Sequence, residues 1–301
     1  MANEMKFKDK KITLLKGGIS AEREVSLRTG AAVANGLRVL GCTVAEIDVI
    51  GRDFALPADD SVIFICLHGT FGEDGELQER LEHEKRIFTG ADSLGCRNAF
   101  DKLKSKELFL RHGVPTPKGG IWNPGEAFSI PCVLKPVAEG SSVGLSLVRT
   151  EAEWPAAVEQ ARQSGRQMMA EEMIAGREVT VGILGDEALP LIEIRPKTGC
   201  FDYEHKYTAG MTEHICPAPM DAEVTRRVQM AALAAHRALG CTVYSRVDVM
   251  VRPDGSPVVL EVNTIPGMTE VSLLPEAAKA AGLDFTQLCG RILELSLEAR
   301  S

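Results

Sequence analysis

Apolar positions along the chain fall into two patterns. Residues 12–15 form a short, largely apolar run, and 62–67 form a continuous one reading VIFICL. Runs of that kind suit strands buried on both faces of a parallel sheet. Residues 43–50 read as another strand. Between the first two runs, Val25, Val33, Leu37 and Leu40 recur at helical spacing, after Gly17-Gly18 and before Gly41. Ser20 is placed to cap that helix, and Glu22 and Glu24 fall in its first turn, where negative charge suits the dipole. Strand, glycine loop, helix, strand, strand predicts an α/β opening with a parallel sheet.

The pattern then changes. Residues 101–112 read as a helix, closed by Gly113 with Pro115 and Pro117 beyond. Short strands follow at 131–135, 145–148, 168–171, 178–184 and 189–194, around one helix near 151–164. That alternation predicts an antiparallel α+β organisation. Residues 196–219 are polar, carry aromatics and show little periodicity, which predicts a long functional or mobile loop. An amphipathic helix at 222–239 precedes strands at 243–251 and 257–262, joined by the turn Pro253-Asp254-Gly255. A closing helix spans 284–299.

Length and composition narrow the class. The 301 residues suffice for two or three domains, and 45% hydrophobic with 25% charged residues is the balance of a soluble globular protein. The net charge of −8 provides no global positive field for nucleic acid or an anionic membrane. A bound anion must therefore be held by a local cluster of cations and amides. The lysine-rich first residues lack the apolar stretch of a signal peptide, and no run approaches the ~20 residues of a membrane span. None of the eight cysteines forms a C-x-x-C pair. They predict reduced, buried thiols in a cytoplasmic protein, without a zinc site.

Four groups of residues carry chemistry. Lys135-Pro136 ends a strand, and Glu139-Gly140-Ser141-Ser142-Val143-Gly144 forms a small-residue turn whose amides and hydroxyls could donate to phosphate. Taken alone, the turn reads more readily as a flexible hairpin, since short glycine motifs often match without binding phosphate. Arg246 and Asp248 share one face of a strand, with Val247, Val249 and Val251 on the other. Glu261 and Asn263 likewise share a face opposite Leu260 and Val262. Asp248, Glu261 and Asn263 form a hard-oxygen set suited to Mg²⁺, while two edge strands with solvated polar faces would account for them as well. The third group, His68-Gly69 with Gly72-Glu73-Asp74-Gly75, follows the 62–67 strand, and the loop at 17–24 follows the first strand; ligands in α/β sheets bind at such carboxyl ends. Alone, His68 reads as a loop histidine satisfied by backbone groups, and Glu22 as an acid serving the helix dipole. Finally, Tyr203, Lys206 and Tyr207 lie in the long loop, where they could close over phosphate or simply face solvent.

The order of these motifs resembles the D-alanine–D-alanine ligase family of the ATP-grasp superfamily, over nearly the whole chain. The carriers are residues 17–26 (GGISAEREVS), His68-Gly69 with 72–75 (GEDG), Asp101-Lys102, and Lys135-Pro136 with 139–144 (EGSSVG). They continue through Glu171 with Gly176-Arg177-Glu178, residues 203–207 (YEHKY), Arg246 with Asp248, and 261–263 (EVN) with 266–269 (PGMT). The resemblance implies an α/β substrate-binding domain over 1–90. It implies a central ATP-grasp subdomain over 91–171 and a catalytic domain over 172–301, with a mobile loop at 196–219. By the same resemblance Lys102 and Lys135 hold the α- and β-phosphates of ATP, and Lys206 reaches the γ-phosphate. Glu171 and Ile174 sit at the adenine and Glu178 at the ribose. Asp248, Glu261 and Asn263 hold two Mg²⁺ (or Mn²⁺) ions. Glu22 pairs with the first D-alanine's ammonium, with His68 nearby; Ser141 and Tyr207 join Glu22 in a triad. Arg246 and the Gly267 amide stabilise the oxyanion, and Ser272 and Leu273 position the second D-alanine.

The chain departs from the family's common pattern at Glu172, beside the adenine glutamate, so contact there is expected through the backbone. The implied activity is formation of D-alanyl-D-alanine through an acyl phosphate, for the peptidoglycan of the cell wall, in a cytoplasmic homodimer. The nearest alternative is a related D-alanine–D-lactate or other carboxylate–amine ligase. A non-catalytic ATP-binding subunit would be expected to lack a metal ligand or Arg246. A dinucleotide oxidoreductase would need G-x-G-x-x-G, which Gly17-Gly18 does not begin.

Overall fold

The computed structural model describes residues 6–140, 143–196 and 212–300. Its strands form three sheets. The first holds β1 (Lys11–Gly17), β2 (Thr43–Val49) and β3 (Val62–Ile65), all parallel in the order β2-β1-β3. All four residues of β3 are buried, as its unbroken apolar run requires. Helix α1 (Arg23–Val39) crosses between β1 and β2 and buries Val33, Ala34 and Leu37. Its start differs from expectation. Glu22 is the N-cap and precedes the first turn, and its side chain makes no cap bond. Ser20 serves the loop instead: its Oγ accepts the Glu22 amide at 3.2 Å and donates to the His68 carbonyl at 2.7 Å. Two short helices that the periodicity did not single out, α2 (Glu76–His83) and α3 (Ser93–Phe100), complete this region.

Helix α4 (Lys102–Arg111) is capped by Asp101, whose carboxylate accepts the Leu103 and Lys104 amides. The second sheet is antiparallel and holds β4 (Gly119–Trp122), β5 (Cys132–Pro136), β6 (Ser146–Val148) and β7 (Met168–Glu172), in the order β4-β7-β5-β6. Helix α5 (Trp154–Ser164) packs Ala157 and Ala161 against Trp122, Leu134 and Met168.

The third sheet runs β11-β10-β8-β12-β13, with β9 added to β8. Its strands are β8 (Arg177–Leu184), β9 (Glu187–Ala188), β10 (Ile192–Pro196), β11 (Thr212–Ile215), β12 (Tyr244–Val251) and β13 (Pro257–Asn263). Part of the expected loop at 196–219 is thus a strand, because β10 offers an edge to which residues 212–215 pair antiparallel. Residues 197–211 lie outside the described residues. Helix α6 (Ala222–Ala238) covers β12 and β13 with Val228, Ala232 and Ala235. Helices α7 (Leu273–Ala280) and α8 (Phe285–Glu298) follow. α8 packs on α1: Leu288, Cys289 and Ile292 share one core with Val33, Leu37 and Leu40.

All seven described cysteines are free, and six are buried. Burial pushes the Cys241 and Cys289 thiols up to about 12. These are core side chains rather than reactive ones. No helix among the described residues is long and apolar enough to cross a membrane.

His236 of α6 is buried, with Nδ1 2.7 Å from Ser245 Oγ of β12. Burial lowers its pKa from 6.5 to about 4. As pH falls below 6.5 the unfolded chain takes up this proton first, so the stability that neutral His236 contributes is present above pH 6.5 and lost towards pH 4. The gap corresponds to roughly 3 kcal/mol. In urea unfolding at pH 7, 6 and 5, His236→Gln is expected to lose distinctly less stability with acidification than the parent. Parallel slopes would remove His236 as a cause.

Candidate active site

Two cavities meet between the sheets. The larger, about 740 Å³, is lined by residues from the N-terminal loops, from α3 and α4, from β12 and β13, and from the segment leading into α7. The smaller, about 480 Å³, lies between the second and third sheets. Lys102, Glu139, Ile194, Asp248 and Glu261 line both.

Strands β12 and β13 supply the shared wall. Arg246 lies opposite Asn263, and Asp248 opposite Glu261. Because side chains alternate along a strand, these four occupy one face while Val247 and Val249 enter the core. The register slips between Asp248 and Val249, leaving Leu260 as the extra residue of a bulge. The expectation that Leu260 faces away with Val262 is therefore corrected: Leu260 lines the smaller cavity beside Met250. Asp248 is buried and held on both oxygens, by Arg246 Nε at 3.0 Å and Nη2 at 2.8 Å, with Thr180 Oγ1 donating at 2.7 Å. Lys102 Nζ lies 3.7 Å from Glu261. Burial lowers the Lys102 pKa, although Glu261 opposes that shift.

Among the described residues no three His, Cys, Asp or Glu side chains form a metal-holding group by themselves. Two carboxylates and the Asn263 amide fit Mg²⁺ only in the manner usual for that ion, with phosphate oxygens and water completing the shell. The two acids are paired with cations, Arg246 and Lys102, so positive charge already suits this place.

In the smaller cavity, Glu171 of β7 and Lys135 at the end of β5 are buried and ion-paired. The sequence reading missed their third partner. Lys106, on the buried face of α4, donates to the other Glu171 oxygen at 2.7 Å. Burial alone would raise the Glu171 pKa, but the two lysines outweigh it and hold the carboxyl below the usual range. Ile174 and Glu178 line the same cavity. The Glu172 carboxylate accepts the Lys118 amide at 2.9 Å, and its own amide donates to the Lys118 carbonyl.

At the far end of the larger cavity, Glu22 stands at the start of α1. A Cβ on Gly69 would come within 2.9 Å of Glu22 Oε2, and one on Gly140 within 3.1 Å. The glycine turn of the second region thus approaches the N-terminal acid closely. Gly69 also has φ of +65°, where a side chain would be strained. His68 is buried, with Nδ1 2.9 Å from the Ile265 carbonyl and Nε2 3.3 Å from Thr29 Oγ1. It is both satisfied by its neighbours and part of the cavity wall. Burial pushes the neighbouring Glu73 carboxyl up, opposed by its contact with His68. Gly267, Ser272 and Leu273 line the wall opposite, and Ser272 Oγ accepts the Thr269 amide at 2.9 Å. Every described residue expected at the site therefore lines one or both cavities. Ser141, Lys206 and Tyr207 lie outside the described residues.

Known proteins with this arrangement are consistent with one another. Residues 116–294 match the family described as D-ala D-ala ligase C-terminus. The chain is 48% identical to a D-alanine–D-alanine ligase of Methylacidiphilum infernorum, covering 95% of each. It is 42% identical to that of Halalkalibacterium halodurans, covering 96% of this chain and 99% of the relative. A crystal structure of the Bacillus anthracis D-alanine–D-alanine ligase complexed with ATP superposes with a TM-score of 0.82 at 31% identity, covering 96% of this chain and 98% of that one. The VanG D-Ala:D-Ser ligase of Enterococcus faecalis gives 0.84 at 30% identity, covering 96% and 100%. With its motifs, its sheets and its near full-length relatives in agreement, this chain belongs to the D-alanine–D-alanine ligase family.

Proposed function

We propose that this protein is an ATP-dependent ligase that joins two D-alanine molecules into D-alanyl-D-alanine through an acyl phosphate, supplying a cell-wall precursor. One observation carries the reading: Lys102, Asp248 and Glu261 line both cavities, so a nucleotide in the smaller and an amino acid in the larger meet at the same charged wall. Ile174, Met250 and Leu260 offer the adenine apolar contact in the smaller cavity, with Glu171 at hand for polar contact. Lys102 and Lys135 face the phosphates; Lys206 is expected to join them. Asp248, Glu261 and Asn263 are the residues that would hold Mg²⁺, which when bound offsets the charge on the phosphate oxygens.

The chemistry follows from charge. A substrate carboxylate attacking a triphosphate brings anion to anion, and Lys102, Lys135 and Arg246 offset that repulsion. The carboxylate oxygen of the first D-alanine bonds to the γ-phosphorus as the bond to ADP breaks, giving the acyl phosphate. The amine of the second D-alanine attacks the acyl carbon. The resulting oxyanion is stabilised by Arg246 and the Gly267 amide; as it collapses the acyl–oxygen bond breaks, and the departing phosphate takes the proton shed by the attacking nitrogen. Glu22 receives the first substrate's ammonium, with His68 beside it. Ser272 and Leu273 position the second substrate. Ser141 and Tyr207 are expected to complete the triad with Glu22. Closing the site against water protects the acyl phosphate.

Coupled ADP release is expected with D-alanine and not with L-alanine; equal turnover with both, or none with either, would remove the substrate assignment. Arg246→Ala should lower kcat by about 10²-fold or more, as loss of an oxyanion donor does, with ATP still bound. A near-normal rate would exclude the oxyanion role. For Glu22→Gln the KM for D-alanine should rise by roughly tenfold or more, on the scale of one charged hydrogen bond, while the KM for ATP stays put. A change confined to ATP would place Glu22 elsewhere.

A further inference from the structure

Glu171 is shared by two lysines that differ in one respect. Lys135 and Glu171 line the smaller cavity, whereas Lys106 lines neither cavity. Lys106 sits behind the carboxylate, on the inward face of α4, and donates to Oε2 while Lys135 donates to Oε1. All three are buried, at 6% exposure for Lys106, 7% for Lys135 and 3% for Glu171. The only other polar atom near Lys106 Nζ among the described hydrogen bonds is Thr116 Oγ1, at 3.4 Å.

We propose that Lys106 is a positioning residue that lets Lys135 leave Glu171 for the nucleotide phosphates. The role rests on the nucleotide reading above. A buried carboxylate that loses its sole counter-ion is strongly destabilised. With one lysine, moving that lysine to phosphate would strand Glu171. With two, Lys106 keeps Glu171 ionised and aimed into the cavity while Lys135 exchanges partners. Lys106 thus acts on phosphate binding without touching the ligand.

Calorimetric titration of the full-length protein with ATP, ADP and adenosine, all with Mg²⁺ present and no amino acid, tests this. For Lys106→Met, affinity for ATP and ADP should fall roughly tenfold, the scale of one hydrogen bond to a charged group, and affinity for adenosine less than about twofold. Lys106→Arg should restore most of the loss, and the KM for D-alanine should not move. A merely structural defect would weaken ATP and adenosine by one common factor; that result, or no loss at all, would overturn the role. Glu171→Gln provides a second arm that does not depend on Lys106→Met folding alone. Once the acid is gone Lys135 needs no release, so adding Lys106→Met to Glu171→Gln should cost no further ATP affinity. A further tenfold loss would overturn the proposal. If the unaltered protein binds no ATP, the nucleotide reading itself falls, a result distinct from wild-type binding that Lys106→Met leaves intact.

Discussion

Asp248 is buried, and both of its oxygens are bound by a guanidinium two residues away on the same strand. Burying a carboxylate is costly unless a cation and hydrogen bonds come with it. Here the partner comes from the strand itself, because positions i and i+2 share a face. The hairpin then places Glu261 opposite Asp248, and a second cation, Lys102, reaches it from the start of α4. The two cavities join at this cation-balanced pair of acids. Without that balance the strands could not hold buried Asp248 beside half-buried Glu261.

The same logic recurs at each end of the site. Glu171 is held by two lysines from different elements, and Glu22 sits against two glycines whose missing side chains make room for it. Glu171 is fixed by groups distant in sequence, and groups distant in sequence leave the room that Glu22 occupies. The positions of single charges therefore depend on tertiary packing, even where the elements that carry them form for local reasons.

That distinction explains what could be read from the sequence. The VIFICL run announced β3, and the apolar spacing from Val33 to Leu40 announced α1, because burial on two faces or one stripe imposes a period. Gly113, with Pro115 and Pro117 beyond it, announced the end of α4, whereas the Asp101 cap became visible only in the structure. The elements that went unread have weaker local signals. Gly119-Gly120 open β4 against strand preference, Pro275 stands in the first turn of α7, and residues 212–215 become a strand only because β10 is there to pair with. At the site, period-two alternation placed Arg246, Asp248, Glu261 and Asn263 on one face, but it could not foresee the bulge that brings Leu260 to the cavity. Family resemblance contributed Glu22, His68 and Gly267, whose residue types alone favoured ordinary roles. Lys106 carried no signal at all beyond standing one helical turn after Lys102. Its partner lies 65 residues away.

Helix α8 has its own lesson. Leu288, Cys289 and Ile292 fill the stripe on α1 that the 3-stranded parallel sheet leaves uncovered, and Gly36 permits Cys289 and Phe285 to come close. During synthesis on the ribosome, β1 to β3 emerge long before residues 285–298 do. The first lobe must wait with an apolar stripe facing water, and it closes only when the much later α8 arrives. Assembly of the amino-acid pocket is thereby coupled to the synthesis of α8, so a chain truncated before that helix would be left with a sticky, unfinished lobe.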